Sequence, residues 1–156
     1  MLLALSVILG FFKIPLSQIS EIRLQFLPIA AVGTLFGPLY GGIAGGLSDI
    51  LCYLVRPTGA FFPGFTVSAV IQGVIYGIVL GKNRSIGAIL LALTLDTVIV
   101  SLILTPVWLM LLYGNSFTVI FTGRIIKVLI MYPINAVLLT AVVKLLSGPA
   151  VRAHIP

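Results

Sequence analysis

Apolar residues fill this chain in long blocks, and each block ends at a short polar or Gly/Pro break. The first block covers residues 2–12, and the polar stretch KIPLSQISEIR, with its proline, follows it as a loop. The second, at about residues 24–36, is short beside the about 20 residues that a full membrane crossing needs. Gly37-Pro38 breaks the run, and a third block occupies residues 39–55. RPTGAFFPGF separates it from a fourth at 65–80. The basic turn GKNRS then leads into a fifth at 86–112, where Pro106 predicts a kink. YGNS turns the chain into a sixth block at 117–146, kinked near Pro133. The pattern predicts an all-α membrane protein: one bundle of six transmembrane helices, with residues 1–156 forming a single domain.

Composition sharpens that picture. The chain is 60% hydrophobic and 8% charged, whereas a soluble domain carries about 25% charged residues. So few charges could not cover a soluble surface, so the chain belongs in a membrane. Its net charge of +6 is scattered over helix ends and interiors with no basic run, which argues against nucleic acid as a partner. Cys52 is the single cysteine, so no internal disulfide forms. His154 stands alone in the C-terminal tail, and a lone histidine is not a metal site. The opening MLLALSVILGFF has no basic segment ahead of it and no A-x-A-like site close behind. It reads as a first membrane helix rather than a signal peptide.

Six spans put both termini on one side. That side receives Lys82, Arg84, Lys144 and Arg152; the other receives Lys13, Arg23 and Arg56, offset by Glu21. The excess of positive charge predicts cytoplasmic termini and an outward-facing RPTGAFFPGF loop. Small residues recur at spacing four: Ser6/Gly10, Gly33/Gly37, Gly41/Gly45, Gly42/Gly46 and Gly73/Gly77. Such spacing clears a helix face for close approach of another backbone. The middle pairs are expected to pack within the bundle, whereas the first helix has more surface free for a partner.

Four charges fall inside the apolar blocks: Asp49, Asp96, Arg124 and Lys127. Each needs a reason, because charge in hydrocarbon is costly. At about 1.5 Å of rise per residue, Asp49 and Arg124 lie roughly 9–10 Å beneath the outer ends of their helices, and Asp96 and Lys127 lie near the midplane. Two buried ion pairs are one reading. For Asp49 and Arg124 a ligand role is the other, since a pocket just under the outer loops can open to water. No catalytic signature occurs: H-E-x-x-H, G-x-S-x-G and G-x-x-x-x-G-K-[ST] are all missing. The chain is therefore not read as an enzyme, and no cofactor is implied.

The loop carries Pro57, Pro63, Gly59 and Gly64, which stiffen and shape it, and three phenylalanines, Phe61, Phe62 and Phe65. Rings held at an aqueous face suit a flat ligand, which they can stack on while backbone groups meet its edge. Insertion of the rings among lipid headgroups is the competing reading.

The stretch FGPLYGGIAGGLSDILCYLVRPTGAFFPGFTVSAVIQGVIYGIVLG, and above all GPLYGG…SD…FFPGFT, resembles the substrate-binding S components of energy-coupling factor transporters, most closely the folate-specific members. A weaker likeness continues through GRIIKVLIMYPINAVLL. The resemblance implies a bacterial, multi-pass cell-membrane subunit that captures a vitamin from outside, with the first and third outer loops as lids. It implies association with a transmembrane T component and two ATPases, and a subunit that topples in the bilayer to carry its ligand inward. Ala4, Ser6 and Gly10 would be the docking face of the first helix. Folate chemistry fits the residues: Asp49 could pair with the donor–acceptor edge of a pterin, and Arg23 and Arg56 could meet the two carboxylates of the glutamate tail. The expected binding set is completed by Phe61, Phe62, Pro63, Gly64, Phe65, Thr66, Arg124 and Lys127. An S component for riboflavin or pantothenate, or a membrane subunit without a small ligand, remains the alternative.

Overall fold

The structure is a computed structural model, and it describes residues 8, 14–17, 20–22, 25–55, 61–114 and 116–147. The expected first helix at 2–12 lies outside the described residues, apart from Ile8. Its intended docking residues Ala4, Ser6 and Gly10 lie outside them too. The polar stretch after it, expected as a loop, instead forms a two-stranded antiparallel hairpin, β1 (Ile14–Ser17) and β2 (Ser20–Ile22). Ile14 faces Ile22 and Ser17 faces Ser20, with an irregularity between Pro15 and Ser17. Proline is tolerated there because each strand pairs on one side only.

The remaining elements follow the apolar blocks. They are α1 (Phe26–Phe36), α2 (Pro38–Val55), α3 (Pro63–Lys82) and α4 (Ile86–Asp96), then a π-helical stretch Thr97–Leu104, α5 (Thr105–Tyr113) and α6 (Phe117–Leu146). Four helical runs are long and apolar enough to cross a membrane: Pro38–Val55, Pro63–Lys82, Ile86–Tyr113 and Phe117–Leu146. Apolar side chains cover the outside, with Leu39, Leu129 and Val137 each 70% exposed. Such a surface suits lipid and not water.

Local chemistry sets the breaks. Gly37 ends α1 with φ at 94°, a left-handed conformation that side chains resist, and its N–H closes on the Gly33 carbonyl. Pro38 then opens α2, where its missing N–H costs nothing. Pro63 does the same for α3, so that helix begins two residues before the expected Phe65. Ser85 caps α4, accepting from the Ala88 N–H at 3.3 Å. Beside it, Arg84 donates to the Thr34 carbonyl at 3.2 Å, answering a group that the end of α1 leaves unpaired.

The irregularity expected at Pro106 takes the form of the π stretch before it. In the π register the carbonyl of residue i pairs with the N–H of residue i+5. The partner of the Ser101 carbonyl would therefore be Pro106, which has no N–H. The Thr105 hydroxyl bridges back to the Val100 carbonyl at 2.7 Å. The α6 helix runs on through Pro133.

The bundle closes where α1, α2 and α3 touch backbone to backbone. A Cβ placed on Gly41 would stand 2.5 Å from the Gly73 carbonyl oxygen, and one on Gly33 would stand 2.9 Å from the Gly77 nitrogen. A Cβ on Gly73 would strike the Gly41 carbonyl itself. The small-residue pairs in the middle of the chain thus pack within the bundle, except that Gly37 serves as the turn. Gly73→Ala should lower stability by about 1–3 kcal/mol, the usual cost of overpacking. Gly123→Ala, where a Cβ meets open space, should be neutral or slightly stabilising, because alanine is the better helix former. Thermal melting of both variants in detergent checks the pair.

The main core lies towards the Lys82 end of the bundle. Phe26, Tyr76, Leu80, Ile89, Leu93, Leu139 and Val143 are buried there together. Asp96 sits in this region, accepting a hydrogen bond from the Tyr76 hydroxyl at 3.1 Å, with Gln72 facing the same pair. A neutral partner thus meets the acid for which pairing with Lys127 was one expectation. The opposite end, where α2 and α5 finish and α3 and α6 begin, is left for other chemistry.

Candidate functional site

At that end the carboxylate of Asp49 is half-buried on α2, about 9 Å of helix below Val55. The Thr66 hydroxyl, in the first turn of α3, donates to Asp49 Oδ2 at 2.9 Å. Threonine so placed orients the carboxylate and leaves Oδ1 to face elsewhere.

Next to this pair stands an aromatic group. Phe62 is the residue before α3, and its ring lies 6.1 Å from Phe65 and 5.5 Å from Trp108 of α5, at steep angles to both. The Trp108 indole N–H donates to the Ser68 hydroxyl of α3 at 3.0 Å. Gly64 makes room for this approach, since a Cβ there would stand 2.6 Å from Trp108 Cδ2 and run into the Phe62 ring. Phe61 turns instead to Tyr53 of α2, with ring centroids 5.0 Å apart.

On α6, Arg124 donates from Nη1 to the Ser101 carbonyl at 3.0 Å. This is the carbonyl that Pro106 strands in the π stretch. The contact fixes where the guanidinium stands, so the helical irregularity serves as its mounting. Lys127 follows one turn further along α6, half-buried.

The structure therefore brings together Asp49 with Thr66, and Phe62 with Gly64 and Phe65. Pro63 is exposed and acts as the first residue of α3 rather than as a loop residue. The stiff loop expected at 56–65 is in part helix, and Phe62 and Phe65 turn towards Trp108 and one another rather than standing free at its tip. Arg23 and Arg56 lie outside the described residues. Three participants were not read from the sequence: Trp108, Tyr53 and Ser68. Trp108 carried one usable signal, being the sole tryptophan and five residues from the end of its helix, but an interfacial aromatic belt explains such a residue equally well. Among the described residues no three of His, Cys, Asp and Glu come together to hold a metal ion.

As chemistry, the arrangement offers a charged acceptor on α2 beside flat apolar faces at the start of α3. A charged acceptor beside flat apolar faces is chemistry that suits a planar ligand with a donor edge.

Comparison with known proteins points the same way. Residues 1–143 match the family described as "ECF transporter, substrate-specific component". The chain is 42% identical over 124 residues to a folate transporter FolT of Clostridium novyi, covering 79% of this chain and 72% of that one. It is 29% identical over 142 residues to a folate transporter FolT of Leuconostoc mesenteroides, covering 86% and 76%. Among solved structures, a crystal structure of FolT bound with folic acid is similar with a TM-score of 0.86 and 33% identity. That match covers 94% of this chain and 92% of the other.

Proposed function

This chain belongs to the substrate-specific components of ECF transporters, and on that premise we propose that it is a folate-binding one. Such a component is a membrane transport subunit and not an enzyme. The protein captures folate on the outer side of a bacterial cell membrane. It delivers the vitamin inward together with a transmembrane T component and two ATPases. It does so as one domain of six transmembrane helices with cytoplasmic termini, the first helix being the block at 2–12.

The observation that carries this reading is the oriented carboxylate of Asp49 beside the aromatic group at the open end of α3. A pterin is flat, and its edge presents adjacent donors. Asp49, held by Thr66, accepts from that edge, and Phe62 and Phe65 meet the ring. Phe61, packed on Tyr53, closes over the mouth. Arg124 and Lys127 supply positive charge at the pocket's lower wall, and Arg23 and Arg56 bind the glutamate tail at its rim. Pro63 and Gly64 set the backbone on which the rings stand.

Calorimetry on the purified chain with folate, riboflavin and pantothenate tests the proposal. Folate alone should bind; heat from riboflavin or pantothenate, or none from any of the three, would overturn it. Arg23→Ala and Arg56→Ala should each weaken folate by about tenfold or more, the scale of a charge-assisted hydrogen bond. Pteroate, which lacks the glutamate tail, should be almost unaffected. Equal losses for both ligands would assign these arginines to loop structure.

A further inference from the structure

We infer that Trp108 is a wall of the ligand slot, set in place by Gly64 and Ser68 to take the face of the ligand's flat heteroaromatic head. This rests on the folate-binding reading and extends it to a residue and a geometry.

An indole near the end of a membrane helix ordinarily turns its N–H towards headgroups and water. Here it turns inward. Its N–H ends on Ser68, which is 5% exposed. Gly64 and Ser68 are four residues apart, so they share one face of α3. One gives the indole space and the other gives it an acceptor. A ring fixed at both its body and its N–H cannot swing away from the slot.

Helical geometry then places the slot. At about 100° per residue, Thr66, Phe65 and Ser68 follow one another around one arc of α3, and the Phe62 ring, carried by the extended residue before the helix, packs against Phe65. Thr66 holds the Asp49 carboxylate at one edge of this arc, and Ser68 holds the Trp108 indole at the other. Phe62 and Phe65 stand between, and Phe62 touches the indole at 56° rather than stacking on it. On the folate-binding reading, the ligand slot runs along this arc. A flat head that reaches Asp49 with its edge lies with one face towards Trp108.

Two measurements test this, both on the whole chain in detergent. The first is hydroxyl-radical oxidation of the sole tryptophan, read by mass spectrometry with and without folate. Folate should lower the oxidation of Trp108 several-fold. The second is calorimetry on variants. Trp108→Ala should weaken folate and pteroate alike by about 10- to 100-fold, on the scale of ring stacking. Trp108→Phe should recover most of that loss, and Ser68→Ala should weaken both ligands a few-fold with little change in ligand-free melting. Folate binding with undiminished oxidation of Trp108 would overturn the inference while leaving the folate reading intact. Failure of the unaltered chain to bind folate at all would instead remove the reading on which it rests.

Discussion

Asp49→Asn should weaken every pterin-containing ligand by about 30- to 1000-fold and leave the ligand-free protein close to its normal melting temperature. Hydrogen bonds to a charged partner contribute about 1.5–3 kcal/mol each. A carboxylate can accept two from a pterin edge, and an amide offers one acceptor and, in the other position, a donor facing a donor. Folate and pteroate should fall together, because the glutamate tail is not involved. The native contact that is lost is small by comparison. Thr66 donates to Oδ2 at 2.9 Å, and the amide oxygen of asparagine can still accept that bond. If Asp49 served only to neutralise a buried cation, removing its charge would instead destabilise the empty protein by several kcal/mol. Melting without ligand and affinity with it, measured on the same preparation, separate the two. A collapsed melting temperature with near-normal folate affinity would make Asp49 structural.

The sequence revealed the helices more fully than their contacts. The apolar blocks broke at Gly37-Pro38, at the RPTGAFFPGF loop and at the GKNRS turn, and the helices around them begin and end within two residues of the expected block edges. The reason is local: glycine and proline act on their own backbone, so their effect is visible without knowing the neighbours. The hairpin at Ile14–Ser17 and Ser20–Ile22 was missed because its strands are three and four residues long, too short for alternation to stand out. The π stretch was visible only as an expected kink. Its cause, a carbonyl left without an N–H by Pro106, depends on a register that composition does not fix.

The site divides in the same way. Asp49, Phe62, Phe65 and Thr66 drew notice as a charge inside an apolar block and as a ring-rich stretch beside a helix start. Trp108 meets Ser68 across 40 residues of chain, and neither residue is unusual alone. Arg124 and Asp96 were visible as charges that needed partners, and their contacts include a main-chain carbonyl and a tyrosine hydroxyl. A search for opposite charges along the sequence does not find neutral partners of that kind.

Ser6→Trp or Gly10→Trp should abolish coupled folate uptake and leave folate binding by the isolated chain unchanged. The sequence carries no phosphate-cradling G-x-x-x-x-G-K-[ST] loop, and the proposed function assigns ATP use to the ATPases. In liposomes it should bind folate and accumulate none. Accumulation should begin when a T component and its ATPases are added with ATP on the cytoplasmic side. On the proposed function, coupling depends on a helix face of this chain lying close against the T component. Two helices approach closely only where the side chains between them are small. Ser6 and Gly10 are four residues apart in sequence, so on the first helix proposed above they would share a face that an indole would block. The proposed pocket is built from the outer parts of α2, α3, α5 and α6, with Asp49, Phe62, Trp108 and Arg124 as its contacts, and a bulky residue on the first helix leaves those elements in place. The measurement pairs calorimetry on the isolated variant with uptake by the assembled transporter. Normal uptake by both tryptophan variants would place the docking face elsewhere, and ATP-independent accumulation by the chain alone would end the division of labour.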